Sequence, residues 1–212
     1  LNIGDNDVIV DIGAHIGTFT LLAASITQNT VYAFEPSSRN FESLKRNILA
    51  NGLNNVIAHN SAVSDKIGST KFIMHYKTGA GDMLFDHFIP DKLEKYKTDE
   101  GDLPFDPPIA DTGKPEKFVE VPTTTLQDIM DRNNIEQIDF LKMDCEGSEG
   151  SIINSTPKEY LKRVKKIAME FHDHLSVFNH NDIQKLLEEA GFITMLKWDN
   201  QSAFGYLYAW RN

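Results

Sequence analysis

The chain has 212 residues, of which 41% are hydrophobic and 25% are charged, a composition that excludes disorder as its main state. Its formal net charge of −10 opposes binding to phosphate backbones, so we do not expect nucleic acid as a partner. The sequence contains no apolar run of about 18 residues and begins with no charged-then-apolar leader, so we expect no membrane span and a cytoplasmic location. The single cysteine, Cys145, excludes an intrachain disulfide and a cysteine-rich zinc site.

Strands and helices alternate in the first part of the sequence. Short apolar runs at 8–10, 31–34 and 56–58 predict three buried strands. Between the first two, apolar residues at helical spacing predict a helix that buries one stripe. The members of this stripe are Phe19, Leu22, Ala23 and Ile26. A second helical stripe of Phe41, Leu44 and Ile48 lies between the second and third strands. The resulting order β-α-β-α-β predicts a parallel sheet with right-handed crossovers.

The second half of the sequence continues the alternation and ends in a hairpin. Thr124 has capping-box spacing at the start of one predicted helix, and Asn181 is the predicted N-cap of another. Strands are predicted at 138–144 and 164–172. Two final apolar runs are joined by a short polar turn that leaves no room for a helix, so we expect them to pair antiparallel. The two runs are 192–198 and 204–210.

The alternation fails at 77–117, where 41 residues contain five of the eight prolines. Runs at 71–75 and 118–121 beside this segment can form additional strands. Within it, an apolar cluster follows a glycine-containing hinge at 79–81. The cluster comprises Met83, Leu84, Phe85, Phe88 and Ile89. We predict a lid that folds over the carboxyl edge of the sheet, where ligands bind, inserted into a single domain at 1–212, with a disordered excursion as the alternative.

A glycine-containing turn follows the first strand, at the position where open parallel sheets bind ligands. Gly13 and Gly17 allow the backbone to approach a ligand closely, and the next helix offers free N–H groups to it. A dinucleotide fingerprint needs glycine at positions 13, 15 and 18, whereas His15 and Thr18 occupy the last two. This pattern counts against a nicotinamide-dependent oxidoreductase, which we keep as an alternative.

Glu35 ends the second predicted strand. An acid at this position accepts hydrogen bonds from both hydroxyls of a ribose, so we predict an adenosine-containing ligand. The alternative is that Glu35 only caps the helix that follows it.

Three motifs at strand ends stand out together. They are 11–20 (DIGAHIGTFT), 34–36 (FEP) with Asn40, Phe41 and Leu44, and 122–126 (PTTTL) followed by 139–149 (DFLKMDCEGSE). Together they resemble the FkbM family of S-adenosylmethionine-dependent methyltransferases. The resemblance implies a Rossmann-like class I methyltransferase fold, a mostly parallel seven-stranded sheet with an antiparallel C-terminal hairpin and helices on both faces. It also implies S-adenosyl-L-methionine as cofactor and O-methylation of a hydroxyl on a small molecule, such as a sugar. A non-catalytic module that binds an adenosyl ligand is a further alternative.

The turn, the acid at position 35 and the resemblance together predict the cofactor site. The predicted cofactor-binding residues are Asp11, Gly13, Ala14, His15, Gly17, Thr18, Glu35, Pro36, Asn40, Ser61, Ala62, Asp144 and Glu146.

Methyl transfer to a hydroxyl requires a group that removes a proton. Alternation along two predicted neighbouring strands places Lys142 and Asp144 on one face of the first and Glu170 and His172 on one face of the second. We predict that these four residues are catalytic, with Asp144 and His172 foremost. The alternative is a buried ion pair of Lys142 with Glu170 or Asp144 that only fixes geometry.

A divalent cation is a second alternative at the same strand ends. Asp144, Glu146, His172 and His174 are residue types that bind such ions, but the site is predicted without a metal. Cys145 lies between two acids that raise the pKa of its thiol, so we do not expect it to act as a nucleophile.

Overall fold

The computed structural model describes residues 2–74, 83–84, 117–198 and 204–211. Its elements in chain order are β1 (Ile9–Ile12), α1 (Thr18–Ile26), β2 (Val31–Phe34), α2 (Ser38–Ala50), β3 (Val56–His59), β4 (Ala62–Val63), β5 (Gly68–Met74), β6 (Met83–Leu84), β7 (Lys117–Thr124), α3 (Leu126–Arg132), β8 (Ile138–Met143), α4 (Glu149–Ser155), α5 (Lys158–Leu161), β9 (Val164–His172), α6 (His180–Glu189), β10 (Ile193–Lys197) and β11 (Phe204–Trp210).

Seven strands form the main sheet in the order β10-β11-β9-β8-β1-β2-β3. β1 pairs in parallel with β2 and β8, and β9 pairs in parallel with β8. β11 pairs antiparallel with both of its neighbours, β9 and β10. The sheet therefore confirms the predicted mostly parallel topology and the antiparallel C-terminal hairpin.

A smaller sheet has the strand order β4-β7-β5-β6. β5 and β7 pair antiparallel and confirm the additional strands that were predicted beside the 77–117 segment. Apart from Met83–Leu84 and Lys117, the predicted lid lies outside the described residues.

Helices cover both faces of the main sheet, as predicted. On one face α3, α4 and α6 enclose the largest core, because each presents an apolar stripe to the central strands. Examples of its fully or almost fully buried residues are Ile129, Leu141, Ile152, Met169 and Ile183. On the other face α1 packs two alanines against β1, β2 and β8. No helix within the described ranges combines the length and the hydrophobicity needed to cross a bilayer.

α1 buries a different stripe from the predicted one. Ala23 is buried as expected, but Leu22 is 57% exposed and Ile26 is 40% exposed, whereas Thr20 is fully buried. The Thr20 hydroxyl donates to the buried carboxylate of Asp11 at 2.5 Å. Because a buried carboxylate needs hydrogen-bond donors, this contact turns the polar residue inward and the two large apolar residues outward.

Two predicted helix caps also need correction. Thr125, rather than Thr124, is the N-cap of α3 and accepts from the backbone N–H of Asp128 at 3.1 Å. Asn179, rather than Asn181, caps α6 within a capping box. In both helices the cap has an extended backbone, which allows its side-chain oxygen to reach the N–H groups ahead of it.

Candidate active site

The strand order reverses beside β1, which has β2 on one side and β8 on the other. Open α/β sheets bind ligands in the crevice at the carboxyl ends of such strands. The predicted glycine turn follows β1, and the predicted acid–base residues lie at the ends of β8 and β9. The fold therefore brings the two halves of the predicted site to one edge of the sheet.

The turn after β1 uses left-handed backbone conformations. φ is 76° at Gly13, 54° at His15 and 96° at Gly17, a region in which side chains other than glycine are strained. A Cβ atom on Gly13 would lie 1.8 Å from the carbonyl oxygen of Asp144, so that only glycine fits. The glycine turn therefore packs directly against the chain that leaves β8.

Lys142 joins the turn to β8. Its Nζ donates to the carbonyl oxygen of Gly13 at 2.7 Å and lies 3.2 Å from Asp11 Oδ1 and 3.7 Å from Asp144 Oδ2. Burial lowers the pKa of Lys142, but the charges of Asp11 and Asp144 outweigh burial and raise it above its ordinary value. The Lys142–Asp144 ion pair considered as an alternative is therefore present, with Asp11 as a closer partner.

Glu35 links the turn to the start of α2. Its side chain is buried, and its two oxygens accept from the backbone N–H groups of His15 at 2.7 Å and Ser37 at 2.8 Å. Ser37 is the N-cap residue of α2, so Glu35 serves the helix end as well as the turn. These bonds hold the carboxylate at the carboxyl end of β2, where the ribose was predicted.

Three buried side-chain atoms at this edge of the sheet form no hydrogen bond within the described residues. They are Asp11 Oδ1, which has only its ion pair with Lys142, Ser37 Oγ and His59 Nε2. Buried polar atoms in proteins are usually paired. These three therefore fit the polar groups of a nucleoside-type cofactor, and sequence reasoning had given no role to Ser37 or His59.

The other predicted cofactor residues lie around the same edge. Asn60, which was not predicted, connects the chain after β3 with the chain after β2. Its side chain donates to the carbonyl oxygens of Glu35 and Pro36 at 2.8 and 3.0 Å. Ala14 is buried in the turn, Thr18 is exposed at the start of α1, Asn40 is buried in the first turn of α2, and Ser61 and Ala62 follow β3. Glu146 lies instead beside His172.

His172 lies between two carboxylates at the end of β9. Its Nδ1 is 3.3 Å from Glu149 Oε1, and its Nε2 is 3.4 Å from Glu146 Oε2. Burial lowers the pKa of the imidazole, but the two carboxylates outweigh burial and raise the pKa to about 10. His172 is therefore an imidazolium at neutral pH.

Glu149 is a residue of the site that sequence reasoning missed. Its carboxylate is fully buried and accepts from the backbone N–H groups of Cys145 at 2.9 Å and Gly147 at 3.0 Å. Burial raises the pKa of this carboxyl, but its bond with His172 and its backbone bonds outweigh burial and lower it. Glu149 therefore fixes both the loop after β8 and the ring of His172.

Glu170 is the half-buried acid on the same face of β9 as His172. Burial, followed by the negative charge of Asp144, raises the pKa of its carboxyl above the ordinary value. Tyr206 lies opposite Glu170 on β11, and the charge of Glu170 raises the pKa of the tyrosine hydroxyl. Cys145 is partly buried, and burial together with the nearby acids raises the pKa of its thiol, as its position between two acids predicted.

The His172 ion pairs predict a pH-dependent stability. A folded-state pKa of about 10, against 6.5 in the unfolded chain, means that the folded protein retains a proton that the unfolded chain releases. The contribution of these ion pairs to the free energy of unfolding is complete below pH 6.5 and is lost as the pH rises to about 10. The loss is on the order of 1.4 kcal/mol per pH unit. We expect the unfolding free energies of the wild type and His172→Gln, measured in urea, to converge across this range. A difference that is independent of pH would contradict the assignment.

The mostly parallel sheet, with one antiparallel strand beside its edge and the glycine turn at its switch point, is the Rossmann-like fold of methyltransferases. The sequence profile of the methyltransferase FkbM domain matches residues 11–194, and the chain belongs to this family.

Individual relatives agree with this assignment. The chain is 26% identical over 205 residues to the 31-O-demethyl-FK506 methyltransferase FkbM of Streptomyces tacrolimicus, covering 91% of this chain and 75% of that protein. The crystal structure of methyltransferase FkbM from Methylobacillus flagellatus KT aligns with a TM-score of 0.60 at 15% identity, over 100% of this chain and 45% of the other. SMU.1697c from Streptococcus mutans, in complex with S-adenosylhomocysteine, aligns with a TM-score of 0.55 at 11% identity, over 98% and 90%. At these identities the two structures establish the fold.

Proposed function

We propose that this methyltransferase transfers the methyl group of S-adenosylmethionine to a hydroxyl oxygen of a small molecule. The observation that carries the proposal is the direct packing of the glycine turn against the acid–base cluster, with Gly13 in contact with the carbonyl group of Asp144. Two further findings support it. A relative is named for a 31-O-demethyl substrate, and a structural neighbour was solved with S-adenosylhomocysteine.

The residues at the ends of β1, β2 and β3 would hold the cofactor. When bound, S-adenosylmethionine supplies a methyl group that is already activated on a sulfonium. Glu35 would accept hydrogen bonds from the ribose hydroxyls, as acids at this position do. Asp11 Oδ1, Ser37 Oγ and His59 Nε2 offer buried polar atoms to the remaining polar groups.

The chain's remaining tasks are to orient the acceptor and to take its proton. Glu170 suits the second task, because a carboxyl with a raised pKa is a stronger base than an ordinary one. Glu170 would receive the proton of the acceptor hydroxyl as the oxygen becomes methylated. His172 already holds its proton at neutral pH, so it serves as a fixed positive charge between Glu146 and Glu149 rather than as the base.

Replacing Glu35 tests the cofactor site. We expect Glu35→Ala to lower the affinity for S-adenosylhomocysteine at least tenfold in calorimetry, because it removes charge-assisted bonds worth about 1.5–3 kcal/mol. Glu42→Ala is the matched control, since Glu42 is an exposed acid on the neighbouring helix. An unchanged affinity in Glu35→Ala would remove this residue from the site. A wild type that binds NAD and not S-adenosylhomocysteine would favour the oxidoreductase alternative.

A further inference from the structure

We propose that Asp144, Glu146 and His172 form a binding site for one divalent first-row transition-metal ion. Each residue contributes one donor atom, and the two carboxylate oxygens and the imidazole nitrogen all lie within 4.8 Å of one another. Metal–ligand bonds are about 2.0–2.2 Å long, so two donor atoms on opposite sides of one ion are about 4 Å from each other. The three atoms therefore need only small side-chain rotations to share one ion.

The imidazole is held in the orientation that a metal ligand requires. Glu149 Oε1 lies 3.3 Å from His172 Nδ1, so that ring nitrogen donates to a fully buried carboxylate. The other nitrogen, Nε2, then points towards Glu146, 3.4 Å away. A carboxylate behind a histidine is the usual arrangement that fixes the ring of a metal ligand. Glu149 is itself fixed by two backbone N–H groups, so this support is rigid.

The two carboxylates stand at the open side of the cluster. The side chains of Asp144 and Glu146 are 37% and 27% exposed, whereas that of His172 is 7% exposed. An ion can therefore enter from solvent and meet a preformed imidazole. One imidazole with two carboxylates suits Mn²⁺, Fe²⁺ or Zn²⁺ better than Mg²⁺ or Ca²⁺, which prefer oxygen ligands only. Binding of the ion at Nε2 would displace a proton from that ring nitrogen.

The position of the site suggests what the ion does, and this part of the inference rests on the proposed function. Asp144 follows β8 directly beside Gly13, so the ion would lie next to the cofactor edge. A divalent ion that binds a hydroxyl oxygen lowers its pKa and fixes its position. The ion would thus orient the acceptor hydroxyl beside the cofactor edge.

Titration with Mn²⁺ alone tests the site in the full chain after treatment with a chelator. We expect the wild type to bind one Mn²⁺. Binding is measured as a decrease in the electron paramagnetic resonance signal of free Mn²⁺. Asp144→Asn, Glu146→Gln and His172→Gln should each weaken binding at least tenfold. Glu149→Gln should weaken it about 10- to 100-fold through the orientation of the ring. Glu159→Gln, at an exposed acid on α5, should bind like the wild type.

The same samples are titrated with S-adenosylhomocysteine. A folded wild type that binds S-adenosylhomocysteine but no Mn²⁺ would overturn the metal site and leave the proposed function intact. Mn²⁺ binding that is unchanged in Asp144→Asn and Glu146→Gln, both at partly exposed positions, would also overturn it. Mn²⁺ binding that responds to these variants, without binding of S-adenosylhomocysteine, would retain the metal site and contradict the proposed cofactor.

Discussion

Lys142→Met is expected to lower the free energy of unfolding by about 3–5 kcal/mol, the usual cost of removing one partner from a buried ion pair. Asp11 is fully buried, and its carboxylate has Lys142 3.2 Å away and one hydrogen bond from Thr20. Methionine has nearly the same length as lysine, so the loss comes from the uncompensated charge rather than from a cavity. The carbonyl oxygen of Gly13 also loses its donor, which loosens the glycine turn.

Urea unfolding of Lys142→Met and of Lys162→Met measures this effect. Lys162 is exposed after α5, and its replacement should change the unfolding free energy by no more than about 0.5 kcal/mol. If Lys142→Met were as stable as this control, the ion pair would have no structural role at the turn.

Glu170→Gln is expected to lower kcat by about 10²–10⁴-fold, the range that general bases contribute. Binding of S-adenosylhomocysteine should be unchanged, because Glu170 lies on β9 and the cofactor edge is formed by β1, β2 and β3. The melting temperature should stay the same or rise. The raised pKa of Glu170 shows that its charged form is unfavourable in the folded protein, and glutamine removes that charge.

The assay measures the rate at which Glu170→Gln releases S-adenosylhomocysteine and compares it with the rate of the wild type. It uses a hydroxyl acceptor that the wild type methylates. Glu136→Gln, at an exposed acid, is the matched control. Full turnover in Glu170→Gln would show that another group takes the proton. A parallel loss of turnover, cofactor binding and melting temperature would instead indicate a structural role.

Local pattern was enough to predict most of the fold and the glycine turn after β1. Apolar runs between helical stripes predicted the parallel strands, and a hairpin without room for a helix predicted the antiparallel β11. Gly13 and Gly17 were predicted at this turn because they allow the backbone to approach a ligand, and the structure shows that both also have a left-handed backbone. These features depend on residues that are close in sequence.

Features that depend on contacts between distant residues could not be predicted in the same way. The face that α1 buries differs from the predicted one because Thr20 forms a hydrogen bond with Asp11. The spacing of apolar residues along α1 does not reveal this contact. Glu149 was part of a quoted motif, but its role depends on His172, which lies 23 residues further along and across β8–β9. Alternation placed Lys142 on the correct face of β8 but did not reveal that Asp11, its register partner on β1, is its closest acid.

The most direct test of the central claim is the fate of a labelled methyl group. The wild type is incubated with methyl-labelled S-adenosylmethionine and a panel of small molecules that carry hydroxyl or amine groups. We predict that label appears on a hydroxyl oxygen, with one S-adenosylhomocysteine formed for each methyl transferred. Transfer to nitrogen, or binding of S-adenosylhomocysteine without transfer to any hydroxyl-bearing molecule, would contradict the account.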